Sequence, residues 1–493
     1  MPFRRIACIV VSALAMGVGA QTAHAAPVLV MGKDGRVRVH RHSLTPATSF
    51  PAPRAVHARA LATAARKRTG PTVASALKAL HAAGAIDDAT YSGDRSSYSA
   101  AKSSLTNLAG RRRLELGSVL ATLEDIARRR QLTASRLAPL FLTLDRNREW
   151  WTKGPLLANG RRVGFSGSQI VWQYYAGEGL QIQVLGTFGK VNALWGAKQN
   201  SALSAALDEL LPLAARRAGG LAYEYYFPFD GGRAPWVSSL AQGTALQALV
   251  RAATRLHRTD EVLPLTHQGL AIFKTPTPEG VAVPAAAGTH YIQYSFAPSL
   301  RILNGFLQSL VGLYDYGRLA KDVDAQALYE DGIAEARVEV PTYDTGAWSL
   351  YSRGSITHES NLNYHVLLRD FLGSLCARTG EAVFCSTEDR FTADLTTPPE
   401  ATLRTAKLRG GTYSRIKVDV SKLSTGTLRV ERAGKLVYAR SVGLLAYGRH
   451  TLGWQVPRTS GDYDVTIALR DLAGNSGAGE GTVQVLPPRK RKT

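Results

Sequence analysis

Residues 302–315 read Ile302-Leu303-Asn304-Gly305-Phe306-Leu307-Gln308-Ser309-Leu310-Val311-Gly312-Leu313-Tyr314-Asp315, with Ile302, Leu303, Phe306, Leu310 and Tyr314 three or four positions apart. That spacing lays them along one stripe of an α-helix, which turns once in about 3.6 residues. The rhythm recurs on both sides. Downstream it runs through Leu367, Leu368, Phe371 and Leu375, and upstream through Leu246, Leu249, Val250 and Ala253. Nearer the N-terminus it appears at Leu116, Leu120, Leu123 and Ala127, and at Val73, Leu77 and Leu80. Pro71, directly after Thr69-Gly70, reads as a first-turn residue of the earliest helix. Loops rich in Gly, Pro and aromatics separate the helices, so periodicity supports a mainly α region over 71–394. Residues 163–196 interrupt it. Val171-Trp172-Gln173-Tyr174-Tyr175-Ala176-Gly177-Glu178-Gly179 and Leu180-Gln181-Ile182-Gln183-Val184 read as an extended, loop-rich surface inserted among the helices.

After Asp394 the period shortens to two. Thr396-Thr397-Pro398-Pro399 punctuates the chain. Then Ile416, Val418 and Val420 alternate, as do Tyr463, Val465, Ile467 and Leu469. Arg432-Ala433-Gly434-Lys435 reads as a hairpin and Ala473-Gly474-Asn475 as a turn. Short alternating strands between turn signals predict a β-sandwich over 395–488, followed by a basic tail, 489–493. Gly461-Asp462-Tyr463-Asp464-Val465 and Asp471-Leu472-Ala473-Gly474-Asn475 resemble bacterial immunoglobulin-like modules, which serve as spacers or carbohydrate-surface adaptors.

Arg4 and Arg5 precede an apolar run from Ile6 to Ala20, and Ala23-His24-Ala25 follows. That order predicts a Sec-type signal peptide over 1–25, hence a bacterial protein secreted from the cell, with no transmembrane segment in the mature chain. Of three cysteines, Cys8 falls in this leader. Cys376 and Cys385 remain, an even count in an oxidising compartment, and predict a disulfide. Residues 26–70 carry Arg36, Arg38, Arg41, Arg54, Arg59, Arg66 and Lys67 with little apolar periodicity, and read as a basic flexible linker. The formal charge of +22 favours anionic partners. No zinc-finger spacing, RNA-binding sheet motif or helix-turn-helix signature accompanies it, which argues against nucleic acid.

Three clusters then resemble the C-terminal helical domain of D-glucuronyl C5-epimerases. They are Pro235-Trp236-Val237-Ser238-Ser239-Leu240-Ala241-Gln242-Gly243; Tyr294 with Asn304-Gly305-Phe306, Ser309-Leu310 and Gly312-Leu313-Tyr314-Asp315; and Tyr343-Asp344-Thr345-Gly346, Ser349-Leu350-Tyr351 and Asn363-Tyr364-His365. Their order and spacing carry the likeness, whereas residues 71–220 match the animal enzymes poorly. The resemblance implies an (α/α) toroid over 71–394 and action on an anionic, uronate-containing polysaccharide without a cofactor. A homodimer is compatible with it.

C5-epimerisation removes a proton α to a carboxylate and returns one to the opposite face. The site therefore needs two proton-transfer groups and cations or donors to neutralise the carboxylate. The resemblance puts Tyr294, Tyr351 and Tyr364 in catalytic positions. A phenol, with an ordinary pKa near ~10, becomes a base only where its surroundings favour the phenolate. Arg301, Arg353 and Arg369 lie close in sequence and are expected to do this while pairing with the substrate carboxylate. Glu178, Glu224, Trp236, Gln242, Asn304 and His365 complete the expected substrate-binding set. Two positions depart from the animal enzymes: Gln293 stands where they have glutamate, and Leu368 where they have histidine. With 19 tyrosines in the chain, ordinary packing is the alternative role for each.

A polysaccharide lyase shares the first step and then expels the C4 oxygen. A glycoside hydrolase on the same toroid would need two carboxylates about 5–9.5 Å apart, for which Glu178 with Glu224 or Asp230 are available. A non-catalytic glycan-binding protein would instead stack sugars on Trp172, Tyr174, Tyr175, Tyr225, Tyr226 and Trp236. The 11 histidines do not cluster at metal-ligand spacing, so no metal is expected.

Overall fold

A computed structural model describes residues 28–40 and 70–489; the expected signal peptide, most of the expected linker and most of the basic tail lie outside them. Within the linker, however, β1 (Val28–Met31) and β2 (Val37–His40) form an antiparallel hairpin. The alternation Arg36-Val37-Arg38-Val39-His40 is a strand pattern whose polar partners happen to be basic. Its composition hid its period.

The helices follow. Thr72 caps α1 (Val73–Ala82) in a capping box with Ser75, so Pro71 precedes the cap and is not in the first turn. Then come α2 (Asp88–Asn107), α3 (Gly110–Arg128) and α4 (Ala134–Lys153). The region read as an extended or loop-rich surface holds the extended β3 (Arg162–Phe165), β4 (Trp172–Tyr175) and β5 (Gly179–Ile182), but it ends in the helix α5 (Val184–Gly196) and β4 is buried. The hairpin joins these strands in one sheet of order β2-β1-β3-β4-β5, with β1 parallel to β3. Trp172 and Tyr174 are fully buried, edge-on to Phe165 and Trp151 respectively, so they are core and not sugar platforms.

Next lie α6 (Asn200–Leu210), β6 (Ala215–Arg217), β7 (Gly220–Ala222) and α7 (Ser239–Leu256). After α8 (Thr259–Gln268) and α9 (Ala271–Lys274) come β8 (Ala282–Pro284), β9 (Thr289–Tyr291) and β10 (Leu300–Ile302). The stretch quoted first becomes α10 (Leu303–Ala320), followed by α11 (Val323–Glu339). α7 and α10 are buried along most of their length and cross closely. A Cβ on Gly243 would stand 2.7 Å from Ser309 Cα, and one on Gly312 only 2.1 Å from Gly243 O. Both positions therefore require glycine, which gives the Ala-Gln-Gly triplet a packing reason.

Then β11 (Leu350–Gly354) and β12 (His358–Glu359) complete a three-stranded sheet with β10. The helical region ends with α12 (Leu362–Thr379) and α13 (Ala382–Asp394). Cys376 and Cys385 are disulfide-bonded across the α12–α13 turn, nine residues apart. Replacing both with Ser is expected to lower unfolding stability by ~3 kcal/mol, the loop-closure entropy of so short a ring. Denaturant midpoints of wild type and the double variant, both under oxidising conditions, measure it.

The C-terminal region is all β: β13 (Ala401–Leu403), β14 (Lys407–Arg409), β15 (Tyr413–Val420), β16 (Ser424–Arg432), β17 (Lys435–Leu445), β18 (Gly448–Gln455), β19 (Gly461–Asp471) and β20 (Ser476–Leu486). They form sheets of order β13-β15-β18 and β14-β20-β19-β16-β17. Ile416, Val418 and Trp454 from one sheet share a core with Val465, Ile467 and Val483 from the other. The expected hairpin at 432–435 is present, with Ala433 and Gly434 at positive φ as a tight two-residue turn requires. Lys422 ties this region to the helices: its buried ammonium pairs with Asp471 at 2.8 Å and donates to the carbonyl of Asp394. Among the described residues no helix is long and apolar enough to cross a membrane.

Candidate active site

Three separate elements present the three tyrosines. Tyr294 lies just beyond β9, Tyr351 sits on β11 where its pairing with β12 is irregular, and Tyr364 occupies the first turn of α12. Asn361 caps that helix by accepting from the Tyr364 backbone N–H at 3.0 Å, which fixes where the phenol emerges. The rings of Tyr351 and Tyr364 lie 4.5 Å apart between centroids. Tyr294 is walled by Phe229 at 5.4 Å, Trp236 at 5.8 Å and Phe296 at 5.5 Å. Residues up to 70 positions apart in sequence thus share one aromatic-walled cluster.

Burial pushes all three phenols above their ordinary pKa, Tyr294 and Tyr364 strongly. Tyr351 differs in kind. Against the burial, side-chain hydrogen bonding with Tyr364, Gln293 and Tyr294 favours its ionised form. Burial first, and then the neighbouring Tyr351, hold the Tyr364 phenol in its protonated form. The cluster therefore has a sense: hydrogen bonding favours the phenolate at Tyr351, and burial keeps the protons on Tyr294 and Tyr364.

Gln293 belongs to this cluster. Its side chain favours the ionised form of both Tyr294 and Tyr351, while its Oε1 is buried without a hydrogen-bond partner among the described residues. The side chain lies on α10 where Gly305 leaves room, since a Cβ there would stand 2.6 Å from that oxygen. Asn304 is fully buried, its Oδ1 accepting from the Gly305 N–H. Sequence comparison marks Gln293 as a departure; the fold sets it among the phenols. Asp230, named from the sequence only as a carboxylate for the hydrolase reading, is a second group beside the phenols. The Phe229–Gly232 turn, with Asp230 and Gly231 at positive φ, exposes its carboxylate and brings its charge to bear on Tyr351, raising that phenol. The Asp-Gly-Gly triplet was the available signal.

The other expected residues divide. Arg301 and Arg353 oppose each other across β10 and β11. Arg301 reaches Glu335 at 3.6 Å and Glu339 at 3.5 Å, and Arg353 lies over the Tyr343 ring at 5.8 Å. Arg369 pairs with its neighbour Asp370 at 2.6 Å. The groups that favour a Tyr351 phenolate are thus the Gln293 side chain and two phenols, in place of the expected guanidiniums. Trp236 stacks on Tyr225 at 4.2 Å and forms part of the wall behind Tyr294. Gln242 both donates to and accepts from the Tyr223 backbone, a structural tie.

His365 is fully buried, stacked on Trp348 at 3.7 Å, with Nδ1 2.8 Å from the Ser349 hydroxyl and Nε2 2.8 Å from the Phe391 carbonyl. Burial holds it down at about 4, so it is neutral and acts as packing behind Tyr364. The Glu224 carboxylate, expected to meet sugar, is wholly covered and clamped between Arg136 at 2.7 Å and Arg217 at 2.8 Å.

Glu178 stands beside Glu115, whose own oxygens accept from Tyr174 and from the backbone of Gly177 and Gly179. Burial first, and then the neighbouring charge, raise Glu178 to about 8. A group raised in the fold contributes stability at acid pH that is lost as pH rises through its folded value. Glu178→Gln is therefore expected to melt above wild type at pH 8.5 and to converge with it near pH 5, measured by calorimetry across that range.

Residues 218–393 match the family model described as the D-glucuronyl C5-epimerase C-terminus, the span that holds all three tyrosines. Over 175 residues the chain is 30% identical to a D-glucuronyl C5-epimerase of Caenorhabditis elegans, covering 32% of this chain and 28% of that enzyme. Over 169 residues it is 27% identical to an uncharacterised protein of Methanocaldococcus jannaschii, covering 33% of this chain and 53% of that one. The chain thus spans between a quarter and just over half of the length of these relatives. Fibronectin(III)-like modules of Clostridium thermocellum CbhA cover 18% of this chain and 99% of their own, at 15% identity and a TM-score of 0.14, too slight a likeness to build on. The family resemblance of the three clusters holds over the matched span.

Proposed function

We propose, from the match of residues 218–393 to the D-glucuronyl C5-epimerase C-terminal family, that this chain is an exported enzyme that epimerises D-glucuronyl residues at C5 within an anionic polysaccharide. On this reading the helical region is an (α/α) toroid carrying the reaction, and the C-terminal region is an immunoglobulin-like module that carries the enzyme on a carbohydrate surface.

One observation carries the reading: Tyr294, Tyr351 and Tyr364, presented by three separate elements, meet in one aromatic-walled cluster, with the Tyr351 and Tyr364 rings 4.5 Å apart. Tyr351 is the base. In its ionised form it takes the C5 proton, the C–H electron pair passes into the adjoining carboxylate, and Tyr364 or Tyr294 delivers a proton to the opposite face of C5. The raised pKa values of those two phenols keep them protonated for that step. Hydrogen bonds aimed at the developing charge are stronger here than in water, because the site is walled by aromatic rings.

The test is incubation of the protein in deuterated water with glucuronate-containing polysaccharides, followed by proton NMR. Deuterium at C5 with new iduronate signals is the expected result. An unsaturated 4,5 signal would replace the epimerase with a lyase that shares the first step. Binding without exchange across the panel would leave a glycan-binding protein.

A further inference from the structure

The sheet β2-β1-β3-β4-β5 has one face in the core and one face with a different character. Met31, Val163 and Phe165 point into the core. Cross-strand partners share a face and alternate residues repeat it. Val28 pairs with His40, Val30 with Arg38, and Val30 also with Gly164. Arg38, His40 and Arg162 therefore share the face opposite Met31, Val163 and Phe165, a face that is buried at β4 by Gln173 and Tyr175 and opens only toward the hairpin. That face floors a cavity of about 390 Å³, roofed by residues 166–171 and completed by Lys190 from α5. The volume is in the range of small-ligand sites.

No carboxylate is among the described residues that line this cavity. The acids near it act from outside. Asp34 pairs with Arg38 at 2.8 Å on the exposed rim. Glu209 is held by the Ser168 hydroxyl and by the Gln169 N–H at 2.6 Å, which anchors the roof. Arg162 reaches the Gln173 side-chain oxygen at 3.3 Å and lies in the field of Tyr175 and Tyr225. Tyr225 stacks on Trp236, which in turn abuts Tyr294, and these packed rings lie on the side of Arg162 that faces the tyrosine cluster. Burial lowers both Arg162 and Lys190 from their ordinary values, while the Glu209 charge acts on Lys190 in the opposite sense.

We infer that this cavity is a second subsite, in which Arg38, His40, Arg162 and Lys190 hold a carboxylate-bearing sugar residue of the same polymer, away from the residue being epimerised. A hexuronate ring fits the volume, and its carboxylate meets charge-assisted donors from two walls. The inference rests on the uronate-polymer reading above and adds that recognition extends over several sugar units.

The test is a calorimetric titration of the full protein with a hexasaccharide of alternating glucuronate and N-acetylglucosamine, with a neutral N-acetylglucosamine hexamer alongside. Arg38→Gln/Lys190→Gln is the test variant; both side chains lie outside the core and are expected to leave the melting temperature near wild type. Arg415→Gln/Lys417→Gln, on exposed positions of β15, removes the same charge elsewhere. The expected result is at least tenfold weaker binding of the acidic oligomer by the first variant, wild-type binding by the second, and little binding of the neutral oligomer. Equal affinity of the Arg38/Lys190 variant and wild type would overturn the subsite. So would an equal loss in both variants, which would assign the effect to overall charge. C5 exchange is read separately. If it is absent while binding still depends on Arg38 and Lys190, the reaction fails and the subsite stands. If exchange occurs and the variant binds as wild type does, the subsite fails and the reaction stands.

Discussion

Tyr351→Phe lowers deuterium incorporation at C5 by about a thousandfold, the scale on which a positioned proton-transfer group acts. The ring survives in the variant, with its 4.5 Å contact to Tyr364 and its contact to His358 at 5.1 Å, so packing changes little. What disappears is the hydroxyl on which Tyr364, Gln293 and Tyr294 act. Leaving those groups with one fewer partner costs about 1–3 kcal/mol of stability, well short of unfolding a domain of this size. Activity and fold are therefore separable: exchange should vanish while the melting transition shifts by a few degrees at most. Tyr364→Phe removes one of those groups and keeps the Tyr351 hydroxyl. If Tyr364 returns the proton, exchange into solvent deuterium survives at C5 of glucuronate while iduronate formation falls. Wild-type exchange in Tyr351→Phe would refute the assignment of the base.

Glu224→Gln is the second large effect, and it falls on stability. The Glu224 carboxylate is wholly buried between Arg136 and Arg217, and Tyr226 donates to it at 2.9 Å. Arg136 also donates to the Gln131 carbonyl and side chain, and Arg217 to the carbonyls of Glu279 and Pro278. This network stitches α4 and β6 to the strand-like stretch that leads into α7. Removing the single negative charge leaves two buried guanidiniums uncompensated, a loss of about 3–5 kcal/mol. Chemical denaturation should show a midpoint shift of that size, and the soluble fraction should still exchange C5 protons. A shift below 1 kcal/mol would mean that the arginines find other partners or water.

The two effects show why the carboxylates were harder to read than the tyrosines. Glu178, Glu224 and Asp230 are all acids in or beside aromatic loops, and nothing in their local sequence ranks them. The fold gives them different environments. Glu224 is neutralised by two arginines distant in sequence, Glu178 is raised to about 8 by burial and Glu115, and Asp230 is exposed beside a phenol. The arginines followed the same logic. Proximity in sequence linked Arg301, Arg353 and Arg369 to the tyrosines, but strand pairing and helix position gave them Glu335, Glu339, Tyr343 and Asp370 instead.

The sequence by itself determined the helices that carry the site, the strands after Asp394 and the disulfide partners. Period 3.6, period 2 and an even cysteine count are local signals that survive without a structure. The three motif clusters were also legible, because their order and spacing are properties of the chain. It did not determine the hairpin at 28–40, where basic residues filled the polar positions of a strand and looked like a linker. Nor did it determine which phenol is favoured in its ionised form and which keep their protons. That depends on hydroxyl groups brought together from β11, α12 and the segment after β9, and on an amide from the neighbouring residue. Proton affinity is set by desolvation and by hydrogen-bond direction, and both are properties of the assembled site. Tertiary structure alone decided that Tyr351 is the phenol whose ionised form its neighbours favour, and that basic side chains of the N-terminal sheet line a cavity.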